Sequence, residues 1–169
     1  MRVFLSLSAL LVLFGALAGP GCASSPGLTV TGSVDIDSMG TPTGFRFDQP
    51  ARLDGAAPTG AITGTCTLTS DTGGTAYGVV VDLYGPDNGE GRAVRSITLM
   101  TRTDATAEGT IEAELGADTF RGTCDVHAPL VRGDGQLRIT TSDCSIAGAG
   151  ETATVDVDLT FEHCTVTAR

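Results

Sequence analysis

The chain has 169 residues, of which 41% are hydrophobic and 5% aromatic, with 10 basic and 20 acidic residues. A net charge of −10 opposes binding to nucleic acid and to anionic lipid headgroups, so we expect no nucleic-acid partner. The region downstream of the amino-terminal apolar run, residues 22–169, has the length of one domain.

The amino end carries a single charge, Arg2, followed by the uncharged run VFLSLSALLVLFGAL over residues 3–17. A run of about 15 residues fits the apolar region of a secretory signal, whereas a transmembrane helix needs roughly 20. The sequence therefore predicts export, with residues 1–21 as signal peptide, 22–27 as tether and 28–169 as a single β domain. A buried core helix is the alternative interpretation of the run.

The segment that follows the run, LAGPGCASSPG, contains the first of five cysteines, Cys22. The small residue Gly21 precedes it, so the segment resembles the lipobox of bacterial lipoproteins, in which this cysteine becomes the lipid-modified amino terminus. Gly19 and Pro20 depart from the Leu and the Ala or Ser that usually stand three and two places before the cysteine. The resemblance implies lipidation of Cys22 and a membrane anchor.

The residue after the cysteine, Ala23, bears on the location. It is not the Asp that retains many Gram-negative lipoproteins in the inner membrane, so the resemblance implies the outer membrane. Ordinary signal peptidase offers a second route, because the ALA motif at residues 16–18 has the small-x-small pattern of its cleavage sites. That route gives a periplasmic or secreted product, in which Cys22 is a free thiol or forms an intermolecular disulfide.

Apolar and polar residues alternate through most of the chain after Gly27, which is typical of half-buried strands. Runs rich in Gly, Pro and Asp separate these stretches. The pattern predicts an all-β fold: a single antiparallel β-sandwich or β-barrel of about eight or nine strands. Residues 105–118 are compatible with a short helix, but we favour a strand that turns Ile111, Ala113 and Leu115 inward.

The four cysteines of the β domain are each followed, two residues later, by an aliphatic residue, so we expect their sulfurs to face the core. An exported protein tends to pair its cysteines, and four pair evenly while Cys22 is left over. These four are Cys66, Cys124, Cys144 and Cys164.

The pairing follows from a predicted hairpin at residues 132–136, where Asp134 and Gly135 suit a two-residue type I′ loop. Such a loop places Leu130 opposite Ile139 and Ala128 opposite Thr141, and it would leave Cys124 one residue out of register with Cys144. The inward face also changes parity upstream of Cys144, which calls for a one-residue bulge there.

With that bulge, Cys124 meets Cys144, and a three-residue loop gives the same pair without a bulge. The sequence therefore predicts a Cys124–Cys144 disulfide and, by elimination, a Cys66–Cys164 disulfide.

Metal and catalytic motifs are sparse. Cys124 and His127 are three residues apart, which places them on opposite faces of a strand, and no Cys-x-x-Cys pair occurs. The motifs Gly-x-Ser-x-Gly, Walker A, Gly-x-Gly-x-x-Gly and His-Glu-x-x-His are absent. The only histidines are His127 and His163, so we predict no catalytic residues and no cofactor.

Two acidic motifs are weak calcium candidates. DID and DVD each place two carboxylates on one outward strand face, and four would cluster if the two strands were neighbours. Plain solvated faces are the interpretation we favour. The residues are Asp35, Asp37, Asp156 and Asp158.

The phrases ITGTCTLTSDTGG, VRSITL and VDVDLTFEHC are similar to those of small mycobacterial surface lipoprotein antigens, which implies an exported β lipoprotein. We predict a lipid-anchored, non-catalytic structural or binding module with an envelope or extracellular protein partner. One alternative is a sandwich or barrel that carries a small apolar ligand. Another is a secreted hydrolase, which would require a pocket holding a histidine beside Asp and Ser.

Overall fold

The computed structural model describes residues 27–53, 61–70, 77–85, 93–103, 106–131 and 136–168. The predicted signal peptide, Cys22 and most of the tether lie outside these residues. In the described part of the chain the all-β class is confirmed, with eleven strands. The strands are β1 (Thr29–Ser38), β2 (Thr41–Arg52), β3 (Thr63–Ser70), β4 (Tyr77–Tyr84), β5 (Val94–Arg102), β6 (Ala107–Leu115), β7 (Asp118–Val126), β8 (Leu130–Val131), β9 (Gln136–Gly148), β10 (Glu151–Glu162) and β11 (Thr165–Ala168).

All of these strands belong to one sheet, curled as a half-barrel, so the structure does not show the two packed sheets of a sandwich. The order is β11-β3-β4-β5-β6-β7-β9-β10-β1-β2, and the short β8 pairs with β9 beside this path. Neighbours are antiparallel except β11, which runs parallel to β3. The strand number exceeds eight or nine because β8 is an additional short strand and because His163, at φ 63°, separates β11 from β10.

The alternation places one face of the sheet inward. In β6 the predicted strand is confirmed, with Ile111, Ala113 and Leu115 all buried. The largest buried side chains, among them Phe120 and Phe161, fill the concave side of the half-barrel. This continuous core, rather than any helix, holds the described residues together.

Two hairpins have tight two-residue turns with glycine at the second central position. Met39 and Gly40 connect β1 to β2, and Ala149 and Gly150 connect β9 to β10, all with positive φ. Positive φ at both central residues defines the type I′ turn, whose twist matches that of antiparallel strands. These turns place β1, β2, β9 and β10 side by side.

Both predicted disulfides are confirmed: Cys66 is bonded to Cys164 and Cys124 to Cys144. The predicted hairpin register is wrong, because Leu130 lies opposite Leu137. The connecting residues 132–135, which include the predicted type I′ loop, lie outside the described residues. The loop between the paired positions is therefore longer than two residues.

The same register error affects the predicted pair of Ala128 with Thr141, because His127 pairs with Thr140 instead. The predicted bulge does exist in β9, where three steps from Thr141 to Cys144 match two steps in β10. The longer loop and the bulge together still place Cys124 opposite Cys144. The predicted disulfide is therefore correct, although the hairpin register from which it was derived is wrong.

All four cysteines belong to the core or pack against it, as predicted, but the inward alternation does not continue beyond Cys164. Cys66 and Cys144 are buried and Cys124 is partly buried, but Cys164 lies in the connection after β10 and is only partly buried. Val166, its aliphatic partner two residues later, is 61% exposed. The positive φ of His163 ends the alternation there, so the pattern of β10 does not continue into β11.

Candidate functional site

The acidic strands β1 and β10 are neighbours, as the calcium interpretation required. Asp35 lies directly opposite Asp156, and both side chains are on the exposed outer face. The other two carboxylates do not join them, because Asp37 lies opposite Thr154 while Asp158 lies opposite Ser33. Positions 33 and 37 are four residues apart on one strand, which is about 13 Å. The four carboxylates therefore form a diagonal row rather than a cluster.

The central carboxylates of this row have protein partners. Asp35 accepts a hydrogen bond from the Ser33 hydroxyl at 2.9 Å, and Arg46 lies 3.6 Å away. One carboxylate oxygen of Asp156 accepts a hydrogen bond from the backbone N–H of Asp143 at 2.8 Å. Asp143 lies in the bulge of β9. These contacts offset the repulsion expected between like charges directly across a ladder.

Asp158 is held by a fork from Arg138. The guanidinium Nε and Nη2 donate to the two carboxylate oxygens, each at 3.1 Å. The hydrogen bond to Asp158 and its negative charge raise the pKa of Arg138 above its ordinary value. Both side chains are more than half exposed, so the pair acts as a surface contact screened by water and salt.

No group of three or more His, Cys, Asp or Glu side chains in the described ranges is arranged to hold a metal ion. The four cysteines of the β domain form disulfides, so none of them has a free thiol that could bind a metal. The outer face thus presents paired charges to solvent, and it offers no described cation site at the four aspartates.

A groove of about 510 Å³ lies where β7 meets β9, and its lining includes a histidine, a serine and two aspartates. It brings His127 beside Asp125, Asp158 and Ser142. No sequence pattern predicts this groove, because Asp125 and Ser142 lie on different strands that only the sheet order brings together. This is the combination of residue types that the hydrolase alternative required.

The groove lacks the contacts of a catalytic triad. None of the described hydrogen bonds joins the His127 imidazole to Ser142 or to a carboxylate, whereas a serine nucleophile needs such a base within hydrogen-bond reach. His127 is held by its backbone, which exchanges hydrogen bonds with Thr140 at 2.9 and 2.8 Å. The second histidine, His163, is exposed at the turn after β10, outside the groove residues. The groove can bind polar groups, but no described contact activates a nucleophile.

The concave side of the half-barrel, where an apolar ligand would be carried, is occupied by the protein's own side chains. Phe161, Leu83 and Ile111 are each 0% exposed at its centre. Shallow surface grooves at the hairpin tips near Met39 and at the ends of β3–β5 are lined by a mixture of polar and apolar groups. These described surfaces do not resemble the largely enclosed apolar pockets of lipid carriers.

No family model matches the chain, and no curated protein and no solved structure is similar to it. Among the described residues, no helix is long and apolar enough to cross a membrane.

Proposed function

We propose that this chain is an exported module of the cell envelope, anchored by a lipid on Cys22, that binds an envelope partner and has no catalytic activity. The supporting observation is the pairing of the four cysteines of the β domain, Cys66 with Cys164 and Cys124 with Cys144. Disulfides persist in oxidising compartments outside the cytoplasm. By count, this pairing leaves Cys22, just after the apolar run, as the fifth cysteine.

The anchor would hold the domain close to the bilayer. Residues 23–27 span at most about 17 Å when extended, and β1 begins at Thr29. One acyl chain binds a membrane only marginally, whereas two or three hold a protein stably. Because the net charge of −10 opposes contact with anionic headgroups, the lipid rather than the protein surface would supply the membrane affinity. The neutral Ala23 favours the outer membrane.

A binding role fits the chemistry of the described surface better than catalysis does. The β7–β9 groove holds His127 and Ser142 without a described hydrogen bond between them. Hydroxyl, backbone and arginine donors engage three outer carboxylates, those of Asp35, Asp156 and Asp158. A sheet stapled by two disulfides supplies a rigid platform for a partner. The partner would be an envelope or extracellular protein.

Metabolic labelling with a radioactive or alkynyl fatty acid tests the anchor. Wild-type protein should incorporate the label and sediment with membranes, whereas Cys22→Ser should lose both properties. Ser24→Ala, two residues away in the tether, serves as the matched control and should label normally. Label retained in Cys22→Ser would refute lipidation at this residue. Ala23→Asp should then shift the labelled protein from the outer to the inner membrane fraction.

An ester-hydrolysis assay tests the absence of catalysis. Purified protein should release no more product from a fluorogenic short-chain ester than buffer does. Turnover that disappears in His127→Ala but persists in His163→Ala would instead establish the groove as an active site.

A further inference from the structure

The join between β7 and β9 is unlike the other antiparallel joins of the sheet. The remaining neighbours on the path share continuous ladders, broken at most by a single bulge or irregularity. β7 and β9 share one pair, Arg121 with Ala147, and beyond the end of β7 the isolated bridge of His127 with Thr140. Between these two fixed points no residue pair is in register. We call this stretch, residues 122–126 and 141–146, the seam.

Other contacts take the place of the missing ladder. The Thr141 hydroxyl donates a hydrogen bond to the backbone carbonyl of Asp125 at 2.8 Å. In a regular ladder, a backbone N–H of the neighbouring strand would donate this bond. Gly122 approaches the carbonyl of Ser145 so closely that a Cβ could not be accommodated. The strands therefore lie in close contact without forming a continuous ladder. The one strong link across the seam is the Cys124–Cys144 disulfide, with Cα atoms 5.6 Å apart.

The seam lies in the interior of the sheet, between two groups of strands. It joins the six strands β11-β3-β4-β5-β6-β7 to the four strands β9-β10-β1-β2. The other disulfide has a different place, because it ties the edge strand β11 to β3, where a parallel ladder already pairs them. Loss of the bond in the seam leaves two closely packed strands without a continuous ladder between them, whereas loss at the edge leaves a ladder intact.

One sulfur of the seam bond is more accessible than the other. Cys124 is partly buried, whereas Cys144 is 1% exposed. The groove that contains Asp125, Thr141 and Ser142 borders the seam from outside. Cys124 is the less buried of the two cysteines, so we expect attack at its sulfur, with the Cys144 sulfur as the leaving group.

We propose that the Cys124–Cys144 disulfide is a redox-controlled latch, which keeps the seam closed when oxidised and lets it open when an envelope dithiol reduces it. A thiolate of the dithiol attacks the Cys124 sulfur, forming a mixed disulfide, and Cys144 leaves as a thiolate that takes up a proton. The second thiol of the dithiol then attacks the mixed disulfide and releases Cys124, which is protonated in turn. The protein gains two electrons and two protons, and the reductant departs as its disulfide.

The latch goes beyond the proposed anchor and does not depend on it. An open seam would present two strand edges, 122–126 and 141–146, each with unpaired backbone groups. Such edges accept an extended segment of another protein as an added strand. The buried core that both parts of the sheet share keeps the opening local.

Native-state hydrogen exchange read by mass spectrometry tests the latch. Dithiothreitol is a suitable probe because it is uncharged, whereas Asp125 and Asp158 beside the groove would repel an anionic reductant. After reduction, amide exchange in 118–126 and 136–148 should rise by about tenfold or more, while β4, β5 and β1 keep their protection. Reoxidation should restore the original rates.

Paired variants separate the two bridges. Cys124→Ala with Cys144→Ala should show the open-seam pattern without reductant, above the general rise in exchange that lower global stability causes. Cys66→Ala with Cys164→Ala should show that general rise with an additional local rise only in β11 and the end of β3. Three results would overturn the latch: reduction of this bond only in denaturant, reduction without faster exchange in the seam, or global unfolding of the Cys124 and Cys144 variant. Each of these results would show that the Cys124–Cys144 bond only stabilises the fold and does not control an opening of the seam.

Discussion

The inner and outer faces of β1 and β10 contain residues from the same short sequence stretches, yet they have opposite physical roles. Inward, Val34, Ile36 and Val155 are almost completely buried and pack across the half-barrel. Outward, Asp35 and Asp156 face each other across the same ladder and are satisfied by local partners and water. One residue step along a strand separates the two environments.

This difference indicates where the stability of the domain originates. Burial of apolar area contributes about 25 cal/mol for each Å² removed from water, so an inner valine or phenylalanine is worth a few kcal/mol. An exposed ion pair contributes about 0–1 kcal/mol. We therefore expect inner substitutions to change the free energy of unfolding strongly, and outer ones weakly.

The largest difference between the inner and outer faces is expected when an aspartate is placed on each face of β10 in turn. Val155→Asp buries an unpaired carboxylate at a position that is 0% exposed, and it should lower the free energy of unfolding by more than about 4 kcal/mol. Thr152→Asp, at an exposed position of the same strand, should change it by less than about 0.5 kcal/mol. Urea denaturation followed by circular dichroism measures both. Equal effects would mean that β10 is paired in another register.

The second prediction compares the two disulfides. The Cys66–Cys164 bond closes a loop of 98 residues and the Cys124–Cys144 bond a loop of 20. In the chain-entropy estimate these are worth about 4–5 and about 3 kcal/mol. Double alanine variants should lose stability in that order when melted without reductant. The reverse order would show that native contacts at the seam outweigh the entropy of the longer loop.

The alternation of residue types was sufficient to predict which face each strand buries. Apolar residues two apart identified the inward positions in β1, β4 and β6, and the parity change before Cys144 located the bulge in β9. These signals are local, because side-chain direction in a strand depends only on position along it. The disulfide pairs needed more than alternation: Cys124–Cys144 also depended on an assumed hairpin loop, and Cys66–Cys164 followed by elimination.

The sheet order could not be predicted in this way. Alternation is the same for a strand at an edge and a strand in the middle, so it does not say that β1 pairs with β10 or that one sheet curls instead of two packing. The His127 groove depends on that order, because its residues come from β9, β10 and the chain around β7. The hairpin at residues 132–135 was misjudged because Asp-Gly favours a short loop, while pairing of Leu130 with Leu137 determines the actual register.

The third prediction concerns an unsatisfied hydroxyl group on the inner face, that of Thr101. Thr101 is 8% exposed, and its Oγ1 is a buried side-chain atom without a hydrogen-bond partner. Replacing it by valine removes an unsatisfied hydroxyl, so Thr101→Val should raise the free energy of unfolding by about 1 kcal/mol. Thr98→Val is the outer-face control on the same strand, and it loses the 2.7 Å hydrogen bond to Asp82, so it should be neutral or slightly destabilising. A destabilised Thr101→Val would indicate an ordered water at that hydroxyl.

The smallest expected effect is on the outer face, at the fork between Arg138 and Asp158. The geometry is good, with two bonds of 3.1 Å, but the side chains are 57% and 58% exposed. Water competes for both groups in the folded state, so Arg138→Gln should lower the free energy of unfolding only slightly, and by less still in high salt. Asp158→Asn should match it, and the double variant should show little further loss, because each single change already removes the pair. A loss as large as that of an inner-face substitution would contradict the division between the two faces, since it would mean that the arginine covers core surface with its aliphatic stem rather than acting as a solvated charge.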